Sequence, residues 1–534
     1  MMLPYKDTLK VPFRLEKDML SKIVDAELLQ SVVNFRRLSK SRDVSIYTEA
    51  ALCLRRQMIR NDPHYPIYHF APPESWMNDP NGVIRYNGQY HLFYQFDPVI
   101  ETPGGYSRSK RCWGHAVSAD LVHWKDWPVA IWPDSPYDKN GAYSGNAFIC
   151  DDGTPAVMYT GNINELEESY GMLARSSDNM LTWEKKMVMA KPPYPGTPPH
   201  WDAQVWKDET VWYQLIGGTL DGQGAANLFT SNNLESWAFA ETIFSGQPGS
   251  FWELPYLLPC ENGSYVLMIG QVKNPYWIGT FDPKVLKFTP ERKQPEFLDQ
   301  GTYYSVNPSM IDEKGPGGAQ RRILHGWVTG PESPTSAAPF WQGAHSIPRT
   351  MRLTKGQLVL EPIHEIEVLR NDGIHFANMQ VTPGGQGYLG GVRGDALEIL
   401  AEIRPGAGKL PVFSVKLRKS EDGKEYASVF YDFQTGDFGI RAEGDAPCAT
   451  KENGTESLNA EAVWVCFAGV PEDNRPVSLR IFLDRSIVEA YVNGKALTGR
   501  IFMNHPGGGA DISAKNGDIE VMSLSVWRMK SIWD

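Results

Sequence analysis

An internal repeat constrains the fold of this chain more than any other feature. A signature with Ser first, Asp or Asn third, Leu or Met fourth and Trp seventh occurs at 118–124, 177–183 and 231–237. Hairpin turns are predicted at 87, 152, 208 and 262, so the intervals are 65, 56 and 54 residues. Repeats of about 50 residues, each with a few antiparallel strands, are typical of β-propeller blades. A β-sandwich with coincidental spacing is the alternative.

The segments on either side of the repeat have different patterns. Apolar residues recur about every third or fourth position at 13–38 and 45–60, which predicts two helices. From about residue 370, strand-like runs such as 396–400 and 478–483 indicate a second all-β unit, expected to be a sandwich. We therefore expect an all-β protein with a helical N-terminal extension (1–64), a β-propeller (65–365) and a β-sandwich (366–534).

The predicted helices are too short to form a core alone. Their apolar faces must therefore be buried against the body of the protein or against a second subunit. A homodimer consequently stays open as an expectation.

Composition narrows the class of partner. Lys and Arg number 52 against 63 Asp and Glu, and the net charge of −11 argues against a nucleic-acid partner. We expect no membrane partner and a cytoplasmic protein, since residues 1–17 lack the apolar core of a signal peptide and no apolar stretch is long enough to span a bilayer. Six cysteines without a Cys-x-x-Cys pair predict neither disulfides nor a metal, and no cofactor is expected. The aromatic content of 12% suits a sugar site and equally a large β core.

Three carboxylates occupy equivalent places in the repeat. Asp79 lies 8 residues before the turn at 87, Asp202 lies 6 before 208, and Glu253 lies 9 before 262. If the strand after each is the innermost of its blade, all three point at one end of the central channel. Converging carboxylates without a His or Cys cluster favour acid–base chemistry on an uncharged substrate. Taken singly, Asp79 could instead belong to a turn and Asp202 to an exposed loop.

Several segments also carry distinctive polar and aromatic motifs. The longest are Trp76-Met77-Asn78-Asp79-Pro80-Asn81-Gly82, Tyr90-His91-Leu92-Phe93-Tyr94-Gln95, Trp113-Gly114-His115-Ala116 and Asp120-Leu121-Val122-His123-Trp124. Shorter ones are Tyr143-Ser144-Gly145-Asn146-Ala147, Tyr159-Thr160-Gly161, Gly326-Trp327, Ile347-Pro348-Arg349, and Asp484-Arg485-Ser486 with Glu489. Together they resemble glycoside hydrolase family 32, the invertase and fructosyltransferase family. The resemblance covers roughly residues 65–534.

The resemblance implies a five-bladed propeller with an appended β-sandwich, acting on terminal β-fructofuranosyl groups. Asp79 resembles the family nucleophile, Asp202 the transition-state stabiliser and Glu253 the general acid/base. The positions that match the residues holding the fructosyl unit are Asn78, Gln95, Tyr143, Ser144 and Trp341.

Three departures from the family pattern concern the substrate. Trp201-Asp202-Ala203 stands where Arg-Asp-Pro is usual, and an indole cannot make the bidentate hydrogen bonds of a guanidinium. Glu253-Leu254-Pro255-Tyr256 replaces Glu-Cys-Pro-Asp, and the loop at 103–111 is basic where an aromatic residue is expected.

We expect Trp201 to stack against the sugar ring. The alternative is that Trp201 only packs in the propeller and that other residues supply the polar contacts, with the loop at 107–111 the next place to look.

The expected function is that of a retaining β-fructofuranosidase acting on sucrose and short β-fructosides, with transfer to form fructo-oligosaccharides. The expected partners are accordingly sucrose and fructo-oligosaccharides. A catalytically silent sugar-binding homologue and a hydrolase of longer fructans are the alternatives.

Overall fold

Two helices precede the first strand of the protein. The computed structural model describes residues 26–534 apart from 103–104, 165–166, 191–199, 261–262, 272, 309–312, 315–319, 331–339, 445–447, 453–454, 460–462, 472–474 and 504–507. The helices are α1 (Ala26–Leu38) and α2 (Val44–Asn61). The Asp43 carboxylate accepts a hydrogen bond from the Ile46 amide at 3.0 Å, which caps α2 at its start. Both predicted helices are present, although the part of the first before residue 26 lies outside the described residues.

The helices pack on the body of the same chain. A shared apolar cluster joins residues of both helices to later segments: Leu28, Val32, Phe35, Tyr47, Ala51, Leu54 and Met58 with Tyr65, Val328, Phe340 and Trp341. The Arg55 guanidinium adds a bidentate pair to the Asp126 carboxylate at 2.7 and 2.8 Å, and both side chains are buried. The expected burial of the apolar faces is therefore met within one chain, and the homodimer stays a prediction.

Five sheets follow between Ser75 and Pro362, within the part of the chain that the structure describes. The first three contain β1 (Ser75–Tyr86), β2 (Gln89–Asp97), β5 (Cys112–Ser118) and β6 (Trp124–Ile131); β7 (Gly141–Ile149), β8 (Pro155–Asn164), β9 (Glu168–Arg175) and β10 (Glu184–Met189); and β11 (Ala203–Asp208), β12 (Val211–Leu220), β13 (Gln223–Ser231) and β14 (Ala238–Gly246). A separate hairpin, β3 (Val99–Thr102) with β4 (Gly105–Arg108), lies between β2 and β5.

The fourth and fifth sheets close the series. They contain β15 (Pro255–Pro259), β16 (Tyr265–Ile269), β17 (Pro275–Asp282), β18 (Lys287–Pro290) and β19 (Glu296–Phe297); and β20 (Tyr303–Pro308), β21 (Glu313–Lys314), β22 (Gln320–Val328), β24 (Ala344–His345), β25 (Arg349–Thr354) and β26 (Gln357–Pro362). β23 (Trp341–Gln342) pairs in parallel with β1, so the end of the series returns to its beginning. The predicted propeller is present, and its division into five blades stays a prediction.

The repeated signature forms the turn before the outermost strand of each of the first three sheets. The Asp120 carboxylate accepts hydrogen bonds from the amides of Val122 and His123 at 3.0 and 2.8 Å, and the Asn233 side chain accepts from the Ser236 amide at 3.0 Å. An Asp or Asn at this position holds such a turn because its short side chain bonds backbone groups two or three residues ahead. The repeat is thus confirmed as one turn used three times.

Buried amide side chains join the first strands of successive sheets. The Asn146 side chain on β7 accepts from the Val205 amide on β11 at 3.0 Å. The Gln204 side chain on β11 accepts from the Leu257 amide on β15 at 2.9 Å, and the Asn307 amide on β20 donates to the Tyr256 hydroxyl on β15 at 2.8 Å. The first strands are therefore neighbours around one axis, as the carboxylate argument requires.

The rest of the chain forms a sandwich of two antiparallel sheets. Its strands are β27 (Arg370–Val381), β28 (Ala396–Pro405), β29 (Val412–Lys419), β30 (Tyr426–Asp432), β31 (Asp437–Glu443), β32 (Cys448–Glu452), β33 (Thr455–Asn459), β34 (Val463–Phe467), β35 (Val477–Asp484), β36 (Ile487–Val492), β37 (Lys495–Arg500), β38 (Gly509–Lys515) and β39 (Ile519–Met529). The sheet orders are β27-β39-β28-β35-β36-β37 and β34-β31-β30-β29-β38, with β32 and β33 paired separately. A 3₁₀ helix, His364–Leu369, connects β26 to β27.

A buried charged network links the sandwich to the propeller. The Glu489 carboxylate of the sandwich contacts Arg349 at 3.1 Å and the His69 ring at 3.2 Å. Burial disfavours a protonated His69, but hydrogen bonds to Asp484 and Glu489 outweigh this effect and raise the pKa of His69 to about 9. Burial raises the pKa of Glu489, and the Arg349 charge with the His69 contact outweighs it and lowers the value to about 2. The interface thus holds paired charges over the ordinary pH range.

We predict that Arg55→Met lowers the free energy of unfolding by about 3 to 5 kcal/mol, because it leaves the buried Asp126 carboxylate without its cation. Arg60→Met on the same helix is the control, since Arg60 and its partner Glu27 are 66% and 68% exposed. Losing such a pair costs about 0.5 kcal/mol or less. Urea unfolding of both variants measures the difference, and equal midpoints would show that the Arg55 pair does not anchor the helices.

Candidate active site

Asp79 lies on β1 where the strand is irregular. The pairing of β1 with β2 shifts register between Met77 and Pro80 and again between Pro80 and Gly82. A Cβ atom at Gly82, whose φ is +128°, would lie 2.8 Å from the Ala147 backbone nitrogen on β7, so the close approach of β1 to β7 requires glycine. The Asp79 carboxylate, 9% exposed, accepts a hydrogen bond from the Ser144 hydroxyl at 2.8 Å. The turn formers around Asp79 thus shape a strand that presents a buried carboxylate to the neighbouring blade.

Asp202 comes directly before β11 and is also buried. Its φ is +45°, and its amide donates to the Thr160 hydroxyl at 2.9 Å. The Thr160 hydroxyl also contacts His200 Nδ1 at 3.2 Å, and burial lowers the pKa of His200 to about 3, so this imidazole is neutral. The structure therefore places Asp202 in a buried position and not in an exposed loop.

Burial raises the pKa of the Asp202 carboxyl well above its ordinary value, and the negative charges of Glu253 and Asp79 raise it further. The Arg111 guanidinium opposes this effect. Charges act on one another in this way at short separations in a poorly solvated medium. The three carboxylates predicted from the repeat therefore lie close together.

Glu253 lies two residues before β15 and is half-buried. The Tyr304 hydroxyl on β20 donates to Glu253 Oε2 at 3.2 Å. The Glu253 carbonyl accepts from the Gly270 amide at 3.1 Å, so the backbone is held while the carboxyl reaches the channel. Partial exposure beside two buried carboxylates is the environment in which a carboxyl group can exchange protons with a substrate and with solvent.

Aromatic rings form one wall of the site. The Trp201 ring, 8% exposed, lies edge-to-face between the rings of Tyr143 and Phe251, at 5.7 and 6.2 Å between centroids. The Arg111 guanidinium carbon is 4.7 Å from the centroid of the Tyr143 ring and 5.2 Å from that of Trp76. The wall is therefore a continuous row of π surfaces with a cation near one end.

Two further residues that the resemblance points to lie beside the carboxylates. The Asn78 carbonyl accepts from His345 Nε2 at 2.9 Å, and its side-chain oxygen is buried without a hydrogen-bond partner among the described residues. Such an oxygen can accept a hydrogen bond from a sugar hydroxyl. The Gln95 amide donates to the Ala142 carbonyl at 2.8 Å, one residue before Tyr143. Their substrate-binding role stays a prediction.

Comparison with protein families decides the identity of this arrangement. Residues 69–362 match the N-terminal domain of glycosyl hydrolases family 32, and residues 365–528 match the C-terminal domain of the same family. The chain belongs to glycosyl hydrolase family 32. It is accordingly a glycoside hydrolase, and the helical extension lies before the part that the family model covers.

Known family members agree with this assignment. A levanase from Bacillus subtilis is 31% identical over 89% of this chain and 71% of its own length. A sucrose-6-phosphate hydrolase from the same organism is 30% identical over 89% of this chain and 96% of its own length. The crystal structure of fructan 1-exohydrolase IIa from Cichorium intybus superimposes with a TM-score of 0.74 at 25% identity, covering 88% of this chain and 98% of that one.

One residue proposed for substrate binding lies elsewhere in this family 32 chain. The Trp341 indole donates to the Asp62 carboxylate at 2.7 Å and packs edge-to-face on the Tyr65 ring at 5.0 Å between centroids. The Arg500 guanidinium lies 4.9 Å from the centroid of the Trp341 ring. The Trp341 ring therefore packs against the helical extension and the sandwich, and its role in substrate binding stays a prediction.

Sequence reasoning missed several residues of this family 32 site. Tyr304 lies in a segment that carries no family motif, Phe251 lies two residues before Glu253, and Trp76 was noticed only as part of the Asp79 motif. Tyr256 was noticed as a departure, but burial and then the charges of Asp202 and Asp79 raise its pKa, so Tyr256 lies near these carboxylates. The sequence signal that could have identified these aromatic residues was their position relative to the repeat.

Among the described residues, no three His, Cys, Asp or Glu side chains are grouped so as to hold a metal ion. No helix among these residues combines the length and apolarity needed to cross a membrane.

We predict that Asp202→Asn stabilises the fold at neutral pH while impairing activity. The raised pKa means that folding is penalised once the pH exceeds the unfolded-state pKa near 4, and the amide removes this penalty. The gain in stability should grow from pH 4 upward and reach about 1 kcal/mol or more at pH 7.

Asp221→Asn is the matched control, because Asp221 is exposed and has a similar φ of +48°. Thermal unfolding of both variants at pH 4 and pH 7 separates burial from backbone preference. An equal shift in both variants, or a loss of stability only in Asp202→Asn, would contradict the electrostatic assignment.

Proposed function

We propose that the protein is a retaining β-fructofuranosidase that cleaves sucrose and short β-fructosides. The observation that carries this proposal is the convergence of Asp79, Asp202 and Glu253 in one poorly solvated space. The names of the relatives, levanase and sucrose-6-phosphate hydrolase, support a fructose-containing substrate. An exposed set of acidic groups would not support carboxylate catalysis in this way.

The roles of the carboxylates follow from their surroundings. Asp79 is buried and held by the Ser144 hydroxyl, so it attacks the anomeric C2 carbon from a fixed position and becomes the ester of a fructosyl-enzyme. Glu253, half-buried and in contact with the Tyr304 hydroxyl, gives its proton to the departing glycosyl oxygen. Glu253 then takes a proton from the incoming water or sugar hydroxyl, which attacks C2 and releases Asp79.

Asp202 stabilises the transition state without forming a bond to the sugar. Its backbone is held by Thr160, and its carboxyl is buried beside the other two. Positive charge develops on the fructosyl ring as the glycosidic bond breaks, and a nearby carboxylate is favourable to that charge. The same developing charge offsets the repulsion among the carboxylates as the transition state is reached.

Hydrolysis and transfer share the fructosyl-enzyme and differ only in the acceptor. We include transfer to a second sugar, which forms fructo-oligosaccharides, as the finer part of the proposal. Its sequence support is Leu254 and Tyr256, which replace two polar residues of the family pattern. Both side chains are buried in the same apolar cluster, so neither presents a surface to an acceptor, and any effect on transfer is indirect.

Two alternatives are distinguished by the same assay. A silent sugar-binding homologue is disfavoured because all three carboxylates are retained and grouped. A hydrolase of longer fructans is favoured by the similarity to a levanase, and it would cleave levan or inulin faster than sucrose.

We predict that the purified protein releases glucose and fructose from sucrose, and forms methyl β-fructofuranoside when methanol is added. Retention through a fructosyl-enzyme gives the β anomer of this product, whereas an inverting enzyme cannot give it. Trisaccharides should appear at high sucrose concentration. Glu253→Gln, which keeps the shape of the side chain, should slow sucrose turnover about 10²- to 10⁴-fold and so exclude a contaminating activity.

Chromatography of the products on sucrose, inulin and levan gives the result. Formation of the α-anomer of the methyl product would contradict the retaining mechanism. Faster cleavage of levan than of sucrose would identify a hydrolase of longer fructans. No cleavage of any of the three substrates would favour the silent sugar-binding homologue.

A further inference from the structure

A cationic side chain reaches the carboxylate cluster from the hairpin of the first sheet. Arg111 lies between β4 and β5, and its guanidinium carbon is 4.7 Å from the centroid of the Tyr143 ring and 5.2 Å from that of Trp76. Stacking on π faces fixes the plane of a guanidinium, and its five N–H donors lie in that plane. Arg111 is half-buried, so part of this group reaches open space.

The electrostatic effect of Arg111 shows which carboxyl it lies near. Its charge lowers the pKa of the Asp202 carboxyl, against the larger effects of burial and of the other two carboxylates. A charge far from Asp202 would be screened and would have little effect on its carboxyl. The Arg111 guanidinium therefore lies near Asp202.

The backbone around Arg111 is fixed on both sides. The Arg111 carbonyl accepts from the Ala142 amide at 2.9 Å, one residue before the Tyr143 ring on which Arg111 lies. Gly141, with φ of +155°, allows this approach, since a Cβ there would lie 2.5 Å from the Tyr143 ring and 3.6 Å from the Arg111 Cβ. The pairing of Arg111 with Tyr143 is therefore a built feature of the first two blades.

The base of the hairpin is tied to the helical extension. Glu74, just before β1, accepts from Arg36 Nε on α1 at 2.7 Å and from the Val99 amide at the start of β3 at 3.2 Å. The Ser109 amide donates to the Pro98 carbonyl at 2.8 Å and closes the hairpin. These hydrogen bonds therefore fix the backbone at the base of the hairpin from which the segment that ends at Arg111 extends.

We propose that Arg111 is a substrate-binding residue, whose guanidinium donates hydrogen bonds to hydroxyl groups of the sugar that is bound at Asp79. This inference rests on the proposed function. The Trp201 indole lies edge-to-face with the Tyr143 ring, and its one N–H cannot replace the five donors of a guanidinium. Arg111 and Trp201 together then supply the charged and the apolar contacts of one sugar subsite.

Arg111→Met tests the proposal with Lys110→Met as the matched control. Lys110 is the neighbouring cation, but its Nζ is exposed and donates to the Lys139 carbonyl at 2.7 Å and to the Asn140 side chain at 2.5 Å, away from the rings. Arg111→Met should raise KM and lower kcat/KM for sucrose by tenfold or more, which corresponds to about 1.4 kcal/mol or more. Lys110→Met should leave both constants within twofold of the parent and should not shift the unfolding midpoint.

A second pair of variants tests what kind of group is needed. Arg111→Lys keeps the charge and should recover only part of the loss, because an ammonium lacks the planar set of donors. Adding Trp201→Arg to Arg111→Met places a guanidinium beside Tyr143 at the position where the family pattern has Arg, and should recover sucrose turnover above that of Arg111→Met. If Arg111 had only a structural role, adding Trp201→Arg would not restore sucrose turnover to the Arg111→Met chain.

Equilibrium binding separates a failure of this inference from a failure of the proposed function. Calorimetric titration of sucrose into the Asp79→Asn chain, with and without Arg111→Met, needs no turnover. Binding weakened tenfold or more by Arg111→Met supports the inference, even if the parent proves to be a silent homologue. Equal sucrose binding in the two chains, or an equal loss of kcat/KM in Lys110→Met, would overturn it.

Discussion

The site depends on the close approach of the first strands around the propeller axis. These strands carry buried amide side chains that hydrogen-bond across to the next sheet, such as Asn146 to Val205 and Gln204 to Leu257. A buried amide that lost its partner would cost about 1 to 3 kcal/mol, so these bonds fix the register between neighbouring blades. That register brings carboxyl groups from three separate blades into one space despite their repulsion. The raised pKa of Asp202 is the measurable consequence of holding them there.

The sandwich and the helical extension support this arrangement from outside. His345 holds the Asn78 carbonyl next to the nucleophile, and two residues later the Ile347 amide donates to Glu489 of the sandwich at 2.8 Å. On the other side, Arg36 and Glu74 connect α1 to the base of the hairpin that leads to Arg111. Both contacts involve buried charged groups, whose removal would leave a partner uncompensated. Residues far from the chemistry therefore fix the backbone on which the site is built.

The sequence was sufficient for the parts of the fold that repeat. The turn signature and the phase of Asp79, Asp202 and Glu253 could be read directly, because each blade uses the same turn and the same inner strand. Residues outside the repeat were harder. The direction of Trp341 could not be predicted, since β23 has two residues and side chains alternate between opposite faces of a strand. Arg111 follows a short hairpin without periodicity, so the sequence indicated a basic loop but not which cation meets the carboxylates.

The central claim is that Asp79 carries the fructosyl group between bond cleavage and its transfer to the acceptor. Mass spectrometry of the Glu253→Gln chain, quenched during reaction with a β-fructofuranoside that has a good leaving group, tests it directly, because that variant forms the intermediate but cannot activate water to remove it. The account predicts a single fructosyl adduct on the peptide that contains Asp79, and no adduct when Asp79→Asn is added. An adduct on any other residue, or turnover of this substrate without an adduct, would contradict it.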